Sequence, residues 1–195
     1  RHDVVRARLN ARKMLRLHEE ADDKKLAETV ASLALKHRDS QRAILIFLRK
    51  VDDVEKVRAR LHKEKQAVQV LTGTMRGYER DRMADPRKKD GCEIFARFLP
   101  PPKPSDGPDM QWKVTPKKGT VYLICTSAGE VGVNISADDL VCDLSTFESM
   151  AQRFGRVNRF GIRHDTVIDV VHGAAFDEAD PISSRLHRTL ILLQQ

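Results

Sequence analysis

Val121-Tyr122-Leu123-Ile124-Cys125 runs directly into Thr126-Ser127-Ala128-Gly129-Glu130-Val131-Gly132-Val133-Asn134-Ile135. The first five residues are apolar without alternation, as a strand buried on both faces of a parallel sheet requires. The residues that follow are small and hydroxylic. Hydroxyls and glycines at the carboxyl end of such a strand expose backbone N–H groups and let an anion approach closely. In open α/β sheets ligands bind at that edge. Taken alone, a strand and a small-residue turn could be purely structural.

Working outward, strands are expected at 43–48, 67–71, 139–143 and 166–171, besides the one at 120–125. Helical patterns lie between most of them, at Asp52–Lys63, Tyr78–Met83, Cys92–Phe98, Ser149–Phe154 and Ile182–Leu193. Strands alternating with helices predict a three-layer α/β domain with a mostly parallel, doubly wound sheet flanked by helices. Ahead of the first strand, Asp3–Glu20 and Asp22–His37 read as two charged helices. The stretch Leu99–Gly119 begins with Pro100, Pro101, Pro102 and Pro104 and cannot be regular helix or strand. It reads as a mobile surface insertion whose Trp112 and neighbouring lysines could touch DNA or a partner protein.

Downstream stands Gln152-Arg153-Phe154-Gly155-Arg156-Val157-Asn158-Arg159. Helical spacing puts Arg153 and Arg156 on one face, with Gly155 between them and Gln152 ahead, and Ser145 with Glu148 reads as a capping box that starts the helix and so sets where Arg156 and Arg159 point. The guanidinium is a planar fork that stays charged and matches phosphate oxygens two at a time. A run of charge is ordinarily a solvated helix face. Paired with the upstream glycine-rich turn, it suits the terminal phosphate of a nucleotide held by a neighbouring domain.

Together these stretches resemble motifs V and VI of superfamily 2 helicases. The Q-R-x-G-R-x-x-R form of motif VI is matched at Gln152, Arg153, Gly155, Arg156 and Arg159, and motif V at Thr126, Glu130, Gly132 and Asn134. Leu71-Thr72-Gly73-Thr74-Met75 with Arg80 is similar to the segment after motif IV, and 43–48 to the motif IV strand. Glu-Val-Gly-Val-Asn-Ile-Ser, then Asp-Leu-Val-Cys-Asp, then Ser-Met-Ala-Gln-Arg-Phe-Gly-Arg is most similar to the helicase–nuclease of type I CRISPR interference systems. In this family Asp is usual where Asn134 stands. Asn keeps an acceptor but loses the charge, so a salt bridge to a motif VI arginine is not expected.

The resemblance implies a C-terminal RecA-like domain over 39–195, with 1–38 as N-terminal helices or an interlobe hinge. It implies the second motor lobe of an ATP-dependent helicase that translocates on single-stranded DNA. Gln152, Arg156 and Arg159 would be catalytic, reaching the phosphates when the lobes close. Glu130, Gly132 and Asn134 would bind nucleotide, and Thr126, Ser127, Thr72 and Gly73 the DNA backbone. ATP and Mg²⁺ would be held mainly by a first lobe, because no G-x-x-x-x-G-K-[ST] loop occurs in the chain. The implied partners are that N-terminal RecA-like lobe, an HD nuclease domain of the same protein and a CRISPR surveillance complex. The chain is thus expected to be part of a longer enzyme and inactive alone. A superfamily 2 DNA or RNA helicase outside CRISPR, or a non-catalytic RecA-like module that only binds nucleic acid, would share these residues.

Other features point away from further chemistry. His2-Asp3 and His164-Asp165 have no converging partners of metal-ligand type, so no metal site is expected. Asp177-Glu178-Ala179-Asp180 precedes Pro181 and reads as an acidic cap on the last helix. Cys92, Cys125 and Cys142 form no C-x-x-C pair and read as small core residues in a reducing, cytoplasmic setting. No apolar run reaches membrane-spanning length, and no membrane partner is expected. The 195 residues carry 35 Lys and Arg against 28 Asp and Glu, a net charge of +7 that suits a polyanionic partner.

Overall fold

The structure, a computed structural model, describes residues 6, 9–73, 77–102, 107, 110–127, 130 and 134–195, with side chains except at Glu79 and Arg80. Thr74, Met75 and Gly132, quoted above, lie outside the described residues. Six strands form one sheet: β1 (Lys13–Glu20), β2 (Ala43–Phe47), β3 (Ala67–Leu71), β4 (Val121–Cys125), β5 (Asp139–Asp143) and β6 (Thr166–Gly173). Their order is β1-β6-β5-β2-β4-β3, and every pairing is parallel. The strands β2, β4 and β5 are buried at every position, which accounts for their lack of alternation.

Helices cover both faces, as a parallel sheet demands. On one side α1 (Leu26–Leu35) and α2 (Val51–Lys63) bury Val30, Ala34, Val54, Val57 and Leu61 against Ile44, Ile46, Ile124 and Val141. The other face is covered by α4 (Glu93–Ala96), α5 (Phe147–Phe154) and α6 (Pro181–Leu193). There Phe95, Phe98, Met150, Leu186 and Leu190 pack on Leu45, Phe47, Leu123, Leu140 and Val170. Each such side chain, fully buried, contributes about 1.5–3 kcal/mol. A further helix, α3 (Gly77–Met83), follows β3. The final helix starts as expected, with Asp180 accepting from the Ser183 N–H and Pro181 in the first turn.

Three expectations are corrected. Lys13–Glu20 is not helical but an edge strand beside β6. Leu15 and Leu17 alternate with exposed Met14 and Arg16 and pack on the core. That period of two decides the outcome over a composition that favours helix. Second, no Ser145–Glu148 capping box forms: α5 begins at Phe147, its N-cap is Thr146 without a side-chain bond, and Ser145 is buried. Third, residues 110–119 of the Pro-rich insertion are tied down. Lys113 and Val114 N–H donate to the Pro86 carbonyl at 2.8 and 3.1 Å, and Lys117 N–H to the Glu93 carbonyl at 3.0 Å.

The register sets the site. Phe47 pairs with Cys125 and Cys142, and Leu71 pairs with Cys125. The carboxyl ends of β3, β4, β2 and β5 therefore form one even rim. The chain passes from β4 to β5 across β2, and the connections from β2 and β5 leave on opposite sides, so the crevice where a ligand usually binds opens between the ends of those two strands.

Candidate nucleotide and nucleic-acid site

The rim is organised around Arg153. It stands one turn after Met150 on the buried face of α5 and is 1% exposed. Its Nε donates to Glu130 Oε1 at 2.8 Å. Its Nη1 donates to the Asp143 carbonyl at 2.8 Å and to Asp143 Oδ1 at 3.1 Å. The guanidinium carbon lies 5.1 Å from the centre of the Phe47 ring. Ser149 Oγ donates to the other Glu130 oxygen at 3.1 Å, and the Arg49 N–H donates to Asp143 Oδ2 at 2.9 Å. Burial pushes the Asp143 carboxyl above its ordinary range, against the pull of Arg153 and Arg49. Burial also works against the Arg153 cation, but its charged neighbours hold its pKa above the usual value.

Buried charges persist when paired and hydrogen-bonded on all sides, and this group meets that condition. It ties the turn after β4, the end of β5 and α5 together. Glu130, expected among the nucleotide-binding residues, has both carboxylate oxygens engaged in this group. Asp143 and Ser149 were not singled out from sequence, and Arg153 was expected to face a phosphate and not to be buried between carboxylates. The available signal was an arginine three residues after Met150 on the apolar side of a helix.

Arg153 and Arg156 do not share a helix face, as the spacing had suggested: Arg153 is buried, and Arg156 and Arg159 both lie beyond the helix. The helix stops at Phe154, with Gly155 as its C-cap. Val157 is instead drawn into a parallel bridge with Ala137. Ala137 N–H donates to the Arg156 carbonyl at 2.8 Å, and Asn158 N–H to the Ala137 carbonyl at 2.9 Å. Asn158 takes φ 44°, a left-handed conformation Asn tolerates. Its side chain holds the next turn through Arg163, donating to the carbonyl at 2.7 Å and accepting from the N–H at 3.1 Å. A tertiary bridge thus replaces helical spacing in posing the two arginines.

Arg156 Nη2 donates to the Glu130 carbonyl at 2.7 Å. Arg159 Nη1 donates to Asn134 Oδ1 at 2.6 Å, and its N–H to Ser136 Oγ at 3.2 Å. The contact between position 134 and a motif VI arginine is therefore present, as a neutral-acceptor hydrogen bond in place of a salt bridge. Burial, then repulsion from Arg159, lowers the pKa of Arg156. An anion would relieve that repulsion, so the residues present fit a phosphate-bearing ligand. Gln152 is exposed in the last turn of α5.

The backbone register also gathers Thr72, Gly73, Thr126 and Ser127 at the adjoining ends of β3 and β4. Thr126 is buried and its N–H donates to the Leu71 carbonyl at 3.3 Å, whereas Gly73 and Ser127 are exposed. Among the described residues no three His, Cys, Asp or Glu side chains gather as a metal ion would need. Asp165 of the second His-Asp doublet pairs with Arg42 and Arg163. Among the same residues no helix is long and apolar enough to cross a membrane.

A family model, CRISPR-associated nuclease/helicase Cas3, C-terminal, matches residues 40–162. The chain belongs to this Cas3-like family. The match runs from just before β2 through the arginine turn, and so contains the whole rim. No curated protein matches the chain. Among solved structures, Cas3 of T. fusca is similar with a TM-score of 0.64 and 15% identity, over 93% of this chain and 21% of that one. The C-terminal domain of the DEAD-box protein Dbp5 gives a TM-score of 0.59 and 21% identity, over 95% of this chain and 85% of that one. S. cerevisiae Dbp5 bound to RNA and ADP BeF3 gives 0.57 and 20%, over 95% and 39%. These likenesses show the RecA-like α/β fold, and the family match makes it that of a Cas3-like helicase C-terminal domain. The Cas3-like chain spans about a fifth of the length of T. fusca Cas3, 21%.

Proposed function

We propose that this Cas3-like domain is the second motor lobe of an ATP-dependent helicase that moves along single-stranded DNA during CRISPR interference. One observation carries the reading. The buried Arg153, Glu130 and Asp143 group, with the bridge between Ala137 and Val157, poses Arg156 and Arg159 close together on the α5 side of the sheet. Two cations held against their mutual repulsion suit a triphosphate presented by a facing lobe. Gln152, Arg156 and Arg159 would then contact its phosphates, and Asn134 its ribose while holding Arg159. Gly132 would contact the same nucleotide. Glu130 acts one step back, as the acceptor that positions Arg153 and Arg156.

ATP supplies the free energy, and its Mg²⁺ falls to the facing lobe, since Glu130 and Asp143 are committed to Arg153. Thr72, Gly73, Thr126 and Ser127 would hold the DNA backbone through hydroxyl and amide groups, contacts that carry no sequence information. Family membership supports the remaining partners: a first RecA-like lobe, an HD nuclease domain and a surveillance complex that exposes the strand. In the protein carrying both lobes, Arg156→Ala should lower DNA-stimulated ATP hydrolysis about 10³-fold or more with nucleotide binding largely kept. Turnover unchanged by that substitution would remove Arg156 from the mechanism.

A further inference from the structure

A groove of about 720 Å³ has Asn134 at its edge and is otherwise lined by residues not assigned above. One wall is the end of α3 and the turn after it, Asp81 to Lys88, and the other is Leu99–Pro102. Met110 and Trp112 lie between them. The volume falls in the range of small-ligand sites. The indole is half-buried and preset, because the next two residues are pinned to the Pro86 carbonyl and Val114 is buried.

The chain has one tryptophan and two tyrosines. Tyr122 is core, but Tyr78 is 72% exposed on the first turn of α3. It stands three residues before Asp81, hence on the side of the helix that walls the groove. The same helix follows Thr72 and Gly73 at the end of β3. Tyr78 therefore stands on the helix that follows two of the residues proposed to hold the strand, and Trp112 lines the groove that the end of this helix walls.

Charge argues for the occupant. Within the groove Arg87 is held by Asp85, so a small free anion gains little there. Tryptophan, methionine and proline instead offer flat apolar area, while Lys88 and Lys89 are exposed at the rim and the whole chain is at +7. A planar ring attached to a polyanion satisfies both parts. We propose that this groove stacks an unpaired base of single-stranded nucleic acid, with Trp112 as its platform and Tyr78 at its entrance. The inference rests on the single-strand reading above and extends it beyond the rim.

Because Trp112 is the sole tryptophan, its emission reports the groove directly. Titrating the chain with dT15 should quench that emission, and Tyr78→Ala should weaken dT15 binding roughly tenfold. Trp112→Leu should weaken binding as much, and Trp112→Phe, which keeps a ring, should restore most of it. Tyr78 is exposed, so its variant remains informative should Trp112→Leu fold poorly. An rU15 arm reads the sugar preference, and quenching by either strand supports the site. Labelled dT15 that binds by anisotropy, with emission and the Tyr78→Ala affinity unchanged, would overturn the groove and leave the motor reading standing. Quenching by ATP alone, or by a protein partner but neither strand, would overturn it as well.

Discussion

Two regions of the domain treat arginine in opposite ways. At the amino end of the sheet Arg42 donates to Asp139 at 2.8 Å and pairs with Asp165, while His37 lies 3.3 Å from Asp139. On the α5 side Arg159 donates to an amide oxygen and Arg156 to a backbone carbonyl. The consequence shows in the pKa directions. Burial opposes the Arg42 cation, yet Asp139 and Asp165 raise its pKa. Burial opposes Arg156 too, and there its charged neighbour Arg159 lowers the pKa further. Carboxylates neutralise Arg42, whereas Arg156 and Arg159 stand close enough to repel each other.

Exchanging the roles tests this contrast most strongly. In the two-lobed protein, Arg159→Ala should cost about 10³-fold in ATP turnover with little change in denaturant midpoint. Arg42→Ala should cost about 1–3 kcal/mol of stability by denaturant unfolding and leave turnover of the folded protein near its starting value. If both variants lose stability alike and turnover alike, the two regions are not specialised.

The arginine between these extremes is Arg153, buried like a core residue and charged like a ligand-binding one. Arg153→Ala would leave Glu130 and Asp143 buried without their main partner, at a cost of about 3–5 kcal/mol. Unfolding in urea reads that loss. A stability change below about 1 kcal/mol would show that solvent reaches the two carboxylates.

The smallest effect concerns pH. Asp139 feels burial first, which raises its pKa, but His37, the Val167 N–H and Arg42 outweigh it and hold the pKa below its ordinary value. Its contribution is therefore present above the unfolded carboxyl pKa of about 3.9 and is lost as pH falls through the lower folded value. The thermal midpoint should drop through that acid window, and Asp139→Asn should flatten the drop. An equal slope in the variant would place the acid sensitivity elsewhere.

Much of this was legible in sequence. Unbroken apolar runs such as Ala43–Phe47 and Val121–Cys125 leave no solvated face, so burial on both sides follows from composition alone. Likewise Asp180 before Pro181 marks a helix start through chemistry confined to one turn. β1 was not legible, since Leu15 and Leu17 are only two apolar residues within a charged segment. Their strand state depends on the neighbouring edge of β6.

The arginine turn divides most clearly. Sequence by itself determined which residues meet at the rim: a strand that must be buried ends at Thr126, and a nearby helix ends in arginines. Tertiary structure alone decided how those arginines are aimed. Arg153 turned inward because Glu130 and Asp143 converge on it from other elements. Arg156 and Arg159 left the helix because Ala137 offered Val157 a backbone bridge. Local spacing fixes only what neighbours along the chain can do, whereas a buried ion pair and a bridge between distant segments form only once the sheet has brought their members together.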